Sequence, residues 1–276
     1  MSDWPTAAAW LAGGSDDPGA LVVAGVPIAE HAVTPSRYDL APGAVRARLD
    51  RFSTWHSSEL VELEQVPVRD VGDSTAPPPL GAPLTVLLGG HNAVTFHALA
   101  GAGDLSGWGL LTLDAHHDVR PYQPGVVGNG SPVRALVDAG LPAVNVVQVG
   151  INGFSNSRAA RRWCDEEGVT VLGPDSLGSV PTLLDDLARR CHSVYVDVDV
   201  DVLDRAFAPG CPGARPGGAT PSQVFAAAFA AGSHRVVRAL DVVEVDPTAD
   251  VASVTVDAAA LVLLNAAAGF ARRFRP

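Results

Sequence analysis

Short, almost wholly apolar runs alternate with longer alanine-rich segments, and this alternation is the feature that most restricts the fold of the chain. The apolar runs predict strands at 21–26, 85–88, 109–113, 145–149, 193–200 and 236–243. The segments between them predict helices at 42–52, 92–100, 131–139, 156–167, 180–190, 222–230 and 254–273. Continuous apolar strands separated by helices are typical of a parallel sheet covered by helices on both faces. The sequence therefore predicts an α/β fold.

The chain shows no internal repeat and no linker long enough to divide it. Its most proline-rich stretch, 74–83, is short and reads as a surface loop. A length of 276 residues is compatible with one large α/β domain. We therefore expect a single catalytic domain over residues 1–276.

The charge balance excludes some classes of partner. Nineteen cationic residues, all arginine, stand against 30 acidic residues, so the net charge is −11 and the pI is near 5.0. A chain this acidic is poorly suited to bind nucleic acid or an anionic membrane surface. We expect a small-molecule substrate and neither of those partners. The oligomeric state stays open, a homo-oligomer included.

Cysteine use and hydropathy indicate the compartment. The three cysteines, Cys164, Cys191 and Cys211, form no CxxC motif and argue against a disulfide framework. The first ten residues lack the basic segment of a signal peptide. The most apolar stretch, 258–270, is interrupted by Asn265 and is shorter than the roughly 20 residues that span a bilayer. We expect a cytoplasmic protein.

Two acidic clusters follow predicted strands, where functional groups of parallel sheets collect. In the first, Asp114, His116 and Asp118 are spaced at i, i+2 and i+4, so they could converge on a divalent cation. Polar residues solvated at a strand exit are the alternative. In the second, Asp197, Asp199 and Asp201 alternate with valines, so they would share one strand face.

Carboxylates stacked along one strand face repel each other unless a cation lies among them. An exposed strand face is the alternative, but such faces usually carry mixed polar residues rather than three aspartates. Two acidic strand ends and a histidine are the ingredients of a metal site that activates water for hydrolysis. No nucleophile elbow, P-loop or GxGxxG motif supports a different chemistry.

The order of the motifs resembles the arginase, agmatinase and formiminoglutamase family, the ureohydrolases. The resemblance is carried by GGHN at 89–92, DAHHD at 114–118, GNGSP at 128–132, DVDVLDRAFAPG at 199–210 and DVVEVDP at 241–247, with weaker support from GVP at 25–27, APGAVRARL at 41–49 and VRDVGD at 68–73. It implies an arginase-like three-layer α/β/α sandwich with a mostly parallel central sheet. It also implies metal-dependent cleavage of a C–N bond in a guanidine or amidine.

The resemblance also implies roles for individual residues. Asp114 and Asp199 would bridge two metals, His116 and Asp201 would complete one metal site, and Asp118 would serve the other. Asp197 falls where the family usually has serine, so it would be a nearby polar residue rather than a ligand. Glu244 matches the carboxylate that holds the NH₂ groups of the substrate; a surface glutamate after the last strand is the alternative.

One departure from the family concerns the metals. The family loop normally reads GGDHS, with the histidine as a metal ligand, whereas Asn92 stands at that position here. A neutral amide oxygen is a weaker ligand for a first-row metal than imidazole. We therefore expect a weak or lost ligand at Asn92 and a centre with one ion, held by Asp114, His116, Asp199 and Asp201. A one-residue shift that makes His91 the ligand is the alternative.

A second departure concerns the substrate. Arginases and agmatinases carry a His-Gly pair after the DAHxD motif, but Asn129 stands there in this chain. Formiminoglutamases also lack this histidine, and GNGSPVR, DAHHDVRPY and the segment 156–169 resemble their motifs. Asn129 and Ser131 are therefore substrate-binding candidates. A glutamate derivative also needs arginine to dock its carboxylates, and the candidates are Arg120, Arg134 and Arg158; surface ion pairs are the alternative.

Together these features predict hydrolysis of N-formimidoyl-L-glutamate or N-formyl-L-glutamate, with release of glutamate, in histidine degradation. An activated water would attack the one-carbon group, with Glu244 stabilising the developing charge and Asp118 handling the proton. The cofactor would be Mn²⁺ or Zn²⁺, with one or two ions per chain and one favoured. The alternatives are an agmatinase-like guanidino hydrolase that releases urea and a non-catalytic metal- or ligand-binding protein. Which histidine (His56, His97 or His117) replaces the family's proton-transfer histidine stays open.

Overall fold

The computed structural model describes residues 4–274. Its strands are β1 (Leu21–Val26), β2 (Trp55–His56), β3 (Val61–Glu62), β4 (Val68–Asp73), β5 (Thr85–Gly89), β6 (Trp108–Leu113), β7 (Val146–Val149), β8 (Thr170–Leu172), β9 (Ser193–Asp199) and β10 (Val237–Val243). Its helices are α1 (Ala7–Ala12), α2 (Ala41–Arg48), α3 (Ala93–Ala100), α4 (Pro132–Asp138), α5 (Arg158–Glu167), α6 (Val180–Ala188), α7 (Pro221–Ser233) and α8 (Val254–Ala271). The prediction of one domain extends to residues 1–3 and 275–276, which lie outside the described residues.

Eight strands form one sheet in the order β4-β1-β5-β10-β9-β6-β7-β8, and every neighbouring pair is parallel. A core on one sheet face contains residues of α1, α2, α6, α7 and α8. A second core, on the other face, contains residues of α3, α4 and α5. The prediction of a three-layer α/β/α sandwich is therefore confirmed. Burial on both faces explains why the central strands are apolar throughout.

The sequence prediction missed α1, β4, β8 and the β2–β3 hairpin. Strand β4 lies at a sheet edge and most of its residues are exposed or half-buried, so it lacks the continuous apolar pattern. Strand β8 is the opposite edge and has only three residues. The prediction for β9 also ran too far, because the strand ends at Asp199 and residues 200–202 form a 3₁₀ turn. Asp201 therefore does not continue the strand face of Asp197 and Asp199.

The apolar stretch near the carboxyl end belongs to α8, which packs extensively on α7 and runs on into a 3₁₀ turn. The combined helical segment Val254–Phe274 is long and apolar enough to cross a membrane. The prediction that the apolar stretch is too short to span a bilayer is therefore wrong for the helix as a whole. However, 72% of its most apolar window is buried inside the protein. The segment is thus the core helix of one outer layer.

Candidate metal centre

Four adjacent central strands, in the order β5-β10-β9-β6, deliver the candidate residues to one edge of the sheet. Because the strands are parallel, all four carboxyl ends lie at that edge. Asn92 follows β5, Glu244 follows β10, Asp199 ends β9 and Asp114 follows β6. The parallel order thus brings together residues that are up to 152 positions apart in sequence.

The two acidic motifs form two local turns of the same kind. Asp114 Oδ1 accepts a hydrogen bond from the amide of His116 at 2.6 Å, and Asp199 Oδ1 accepts one from the amide of Asp201 at 2.8 Å. Asp201 Oδ1 in turn accepts the amide of Ala115 at 2.9 Å and ties the turns together. Each turn follows a strand, and the side chains of His116 and Asp201, one from each turn, face each other.

Asp114, His116 and Asp201 converge on one point. His116 Nδ1 lies 2.7 Å from Asp201 Oδ2 and 3.6 Å from Asp114 Oδ1, and one ligand atom from each residue lies within 4.8 Å of the others. Burial alone would lower the pKa of His116, but its hydrogen bonds with the two carboxylates outweigh burial and raise that pKa to about 11. A protonated imidazole here supplies positive charge between two buried carboxylates, which is what a divalent cation would also supply.

The remaining carboxylates are crowded in the same way. Burial, reinforced by the charge of Asp201, raises the pKa of Asp114 to about 7 and that of Asp199 well above its usual range. Burial and the charge of Asp114 likewise raise the pKa of Asp118. Oxygen and imidazole donors of this kind suit Mn²⁺ or Zn²⁺. The donor set therefore fits a divalent metal.

Asn92 turns its nitrogen, not its oxygen, towards the carboxylates. Its Nδ2 donates to Asp118 Oδ2 at 2.8 Å and approaches Asp114 Oδ2 at 3.3 Å, while its Oδ1 accepts the hydroxyl of Thr95 at 2.9 Å. The orientation of the amide follows from this network, since the reverse would set Oδ1 against two carboxylates. Asp114, Asp118, Asp199 and Asp201 together form an acidic cluster. In this structure Asn92 is a hydrogen-bond donor to that cluster.

His91 is engaged elsewhere. It is buried, its Nε2 lies 2.6 Å from the carbonyl oxygen of Glu30, and its Nδ1 accepts the amide of Ala93 at 3.2 Å. Burial lowers its pKa, which is consistent with a neutral ring whose Nε2–H donates. Both ring nitrogens thus contact the backbone, so His91 is not available as a ligand in this conformation.

Glu244 is a buried residue of the site. Its Oε1 accepts the amide of Asn92 at 2.8 Å and Nδ2 of Asn129 at 2.9 Å. Burial outweighs these bonds and raises the pKa of Glu244 to about 7. Glu244 and Asp118 both adopt positive φ angles, 71° and 51°, a conformation that non-glycine residues rarely hold and that often marks functional sites.

A cavity of about 460 Å³ opens above this cluster. Its acidic residues include Asp118, Asp199, Asp201 and Glu244, and His116 and Asn129 also line it. Arg120 and Arg215 line the same cavity and are exposed to solvent, so they lie towards its mouth. Residues at the amino end of α5 complete the wall: Ser155, Asn156, Ser157 and Ala160.

The other predicted substrate residues are not among those that line this cavity. Arg134 stacks on the Trp163 ring at 5.6 Å and borders a different groove. Arg158 is exposed at the first position of α5, and Ser131 is buried at the start of α4. Sequence reasoning missed Arg215, whose guanidinium donates to the carbonyls of its own loop. The only signal was its position shortly after the APG motif.

The three histidines considered for proton transfer occupy different environments. His117 lines the cavity, with Nδ1 2.7 Å from Gln148 Oε1, and burial lowers its pKa. His97 is exposed on α3 beside the Phe96 ring, and His56 contacts Asn265 at 3.2 Å. Of these three, only His117 is near the acidic cluster. Tyr38, which sequence reasoning also missed, is buried in the cavity wall.

Comparison with known proteins agrees with this architecture. The model of the arginase family matches residues 81–269. A formimidoylglutamase of Halalkalibacterium halodurans is 34% identical over 268 residues, covering 87% of this chain and 84% of that protein. The crystal structure of formimidoylglutamase from Bacillus subtilis superposes with a TM-score of 0.85 at 27% identity, covering 93% of this chain and 88% of that one.

A formiminoglutamase of Trypanosoma cruzi with Mn²⁺₂ superposes with a TM-score of 0.82 at 21% identity, over 99% of this chain and all of the other. At that identity the likeness concerns the fold alone. The family match extends over most of the chain and includes the ends of β5, β6, β9 and β10, where the acidic cluster lies. The chain therefore belongs to the arginase family of hydrolases.

Proposed function

We propose that this protein hydrolyses N-formimidoyl-L-glutamate to L-glutamate and formamide, with a divalent metal as cofactor, in histidine degradation. The observation that carries the proposal is that one cavity combines a buried acidic cluster with two exposed arginines, Arg120 and Arg215. The acidic end suits a cation and an amidine, and the arginine end suits carboxylates. N-formimidoyl-L-glutamate carries an amidine at one end and carboxylates at the other, so it matches both ends of the cavity.

In this proposal Asp114, His116, Asp199 and Asp201 hold one divalent ion firmly. Three of these residues already present ligand atoms within 4.8 Å of one another, and Asp199 lies beside Asp201. A second ion would be held more weakly, beside Asp118 and Asn92. A bound cation lowers the pKa of water towards neutrality and so provides a nucleophile.

Glu244 and Asp118 would act on the substrate and its protons. The Glu244 carboxylate, fixed by the Asn92 amide and Asn129, can accept hydrogen bonds from the nitrogen of the formimidoyl group and orient its carbon. Burial raises the pKa of Asp118, which makes this carboxyl a better base, so it can take a proton from the attacking water and return it to the departing amine. Both residues are fixed in strained backbone conformations next to the cluster.

The glutamate portion would dock at the mouth of the cavity. Arg120 and Arg215 are in no salt bridge with any described residue, so their charges are available for substrate carboxylates. The amino end of α5, capped by Ser157, adds a favourable helix dipole for an anion. A cationic amine such as that of agmatine would be repelled from this end.

The identity of the one-carbon group rests on the relatives. The Halalkalibacterium and Bacillus proteins are both formimidoylglutamases, which favours the formimidoyl over the formyl substrate. Asn129 at the position of the histidine of arginases and agmatinases argues against a guanidino substrate. N-formyl-L-glutamate and agmatine are therefore the comparison substrates of the test.

The test is NMR of the purified, Mn²⁺-loaded protein incubated separately with N-formimidoyl-L-glutamate, N-formyl-L-glutamate and agmatine. We expect formamide and glutamate from the first substrate, and loss of turnover after chelation with recovery on adding Mn²⁺. Formate from the second substrate or urea from the third, in place of formamide, would contradict the proposed substrate. Tight binding of the first substrate without product would instead indicate a non-catalytic binding protein.

A further inference from the structure

Thr95, in the first turn of α3, lies between two hydrogen-bond acceptors. Its Oγ1 is 2.9 Å from Asn92 Oδ1 and 2.8 Å from Asp241 Oδ2. A hydroxyl carries one proton and can donate to only one acceptor at a time, but it can also accept. Thr95 is therefore able to serve Asn92 either as a donor or as an acceptor.

The partners of Thr95 are fixed in the core. Asp241 Oδ2 also accepts the hydroxyl of Tyr195 at 2.8 Å, and Asp241 Oδ1 faces the amide of Val198 at 3.3 Å. Thr95, Asp241 and Tyr195 are fully or almost fully buried. Water therefore cannot replace the Thr95 hydroxyl without disturbing the core, and Asn92 depends on that hydroxyl for its inner hydrogen bond.

The outer end of Asn92 lies between two carboxylates. Its Nδ2 contacts both Asp118 Oδ2 and Asp114 Oδ2 and so stands where two carboxylates converge. A divalent ion held by these two carboxylates would face the amide nitrogen, which has no lone pair to give. Asn92 must then turn its amide so that Oδ1 faces the ion.

We infer that Thr95 is a positioning residue that allows the Asn92 amide to reverse when an ion binds between Asp114 and Asp118. In the orientation described here, Thr95 donates to Oδ1 and the amide nitrogen serves the carboxylates. In the reversed orientation, Nδ2 donates to the Thr95 hydroxyl, the hydroxyl donates to Asp241, and Oδ1 becomes a metal ligand. The Thr95 hydroxyl and the inner end of the Asn92 amide thus keep a hydrogen-bond partner in both states.

The inference rests on the metal centre of the proposed function, though not on the identity of the substrate. Without the hydroxyl, the reversed amide would bury an N–H group with no acceptor, which destabilises the reversed orientation. In the unreversed orientation only Asn92 Oδ1 would lose its donor, and the amide nitrogen would keep its carboxylate partners. Removing the hydroxyl should therefore weaken the second ion and leave the first unaffected.

The experiment is calorimetric titration of Mn²⁺ into the metal-free full chain, comparing the unaltered protein with Thr95→Val and Thr95→Ser. The unaltered protein should bind one ion tightly and a second more weakly. Thr95→Ser keeps the hydroxyl and should behave like the unaltered protein. Thr95→Val is nearly isosteric without the hydroxyl and should bind the second ion about tenfold more weakly or worse, with the first unchanged. If Thr95→Val does not fold, Thr95→Ala serves as the hydroxyl-free variant.

Two results would overturn the inference alone: an unchanged second binding step in Thr95→Val, or no second step in the unaltered protein although the first ion binds. Equal weakening of both steps would also overturn it, because the effect would not be specific to the Asn92 position. Failure of even the first ion to bind the unaltered protein would contradict the proposed metal centre as well. Substrate turnover does not enter the readout, so an error about the substrate would be detected separately.

Discussion

Asn129 holds the carboxylate of Glu244 by a 2.9 Å hydrogen bond from its Nδ2 to Oε1. The orientation of Asn129 is itself fixed, since its Oδ1 accepts the amide of Val33 at 2.7 Å. The two residues come from the loop before α4 and from the end of β10, and both line the cavity. Asn129 therefore acts on the site through Glu244, whatever further contact it makes with substrate.

Replacing Asn129 by alanine should lower kcat/KM for N-formimidoyl-L-glutamate by about tenfold or more, since hydrogen bonds to a charged group contribute about 1.5–3 kcal/mol. Bound metal, measured by plasma mass spectrometry, should not change. Asn265→Ala is the matched control, because that amide lies on α8 and contacts His56 and a backbone carbonyl. Equal losses in both variants would exclude a specific role of Asn129.

The two neighbouring aspartates of β9 should behave differently. Asp199→Ala should abolish both metal binding and turnover, because the proposed centre needs this carboxylate with one ion or two. Asp197→Asn should retain metal, because Asp197 lies further back along the strand, in register with Asp241. Metal content and glutamate release decide the matter. Turnover that persists in Asp199→Ala, or metal lost only from Asp197→Asn, would refute the assignment of ligands.

Arginine variants test the proposed docking of glutamate. Arg120→Met and Arg215→Met should each raise KM several-fold, about 1 kcal/mol or more of lost charge-assisted binding, with a smaller effect on kcat. Arg134→Met is the matched control, because Arg134 stacks on Trp163 beside another groove. Steady-state kinetics of glutamate release provides both constants. A raised KM in Arg134→Met with none in the other two would reverse the assignment.

The strand pattern was sufficient to predict where the site would form. The apolar runs ending at Leu113 and near Asp199 predicted parallel strands, and parallel strands place the following acidic motifs at one edge. Strand order was not readable from the runs themselves. The adjacency of β9 and β6, and of β10 and β5, depends on how the helices pack on both faces, which involves contacts distant in sequence.

Side-chain orientation could not be predicted from the motifs. Asn92 reads as a weakened ligand in the sequence, but its amide direction depends on Thr95 and on Asp241, which lies 146 residues from Thr95. The orientations of Arg134 and Arg215 could not be predicted from the motifs either. The first turns to an aromatic ring on α5 and the second belongs to a loop without periodicity, so the side of the cavity that each reaches is decided by tertiary packing.

Metal binding should strengthen as pH rises. Without metal, the His116 pKa is raised to about 11 and the Asp114 pKa to about 7, so the cluster carries protons at neutral pH that an ion must displace. The apparent Mn²⁺ affinity should therefore increase between about pH 6 and about pH 8. Calorimetry in two buffers of different ionisation enthalpy would count the protons released. A binding heat that does not depend on the buffer would contradict this proton count.

Asn92→His should raise the metal content towards two ions per chain. Imidazole is a stronger ligand than an amide oxygen for first-row metals. The substitution also removes the amide N–H that Asp118 and Asp114 now share, so those carboxylates gain more from a cation. Asn92→Ala separates the two effects, since it removes the donor without adding a ligand. In Mn²⁺ titrations the second ion should bind about tenfold or more tightly in Asn92→His than in the unaltered protein, with a clearly smaller gain in Asn92→Ala. Equal tightening in both variants would mean that loss of the amide, rather than the new ligand, controls the second ion.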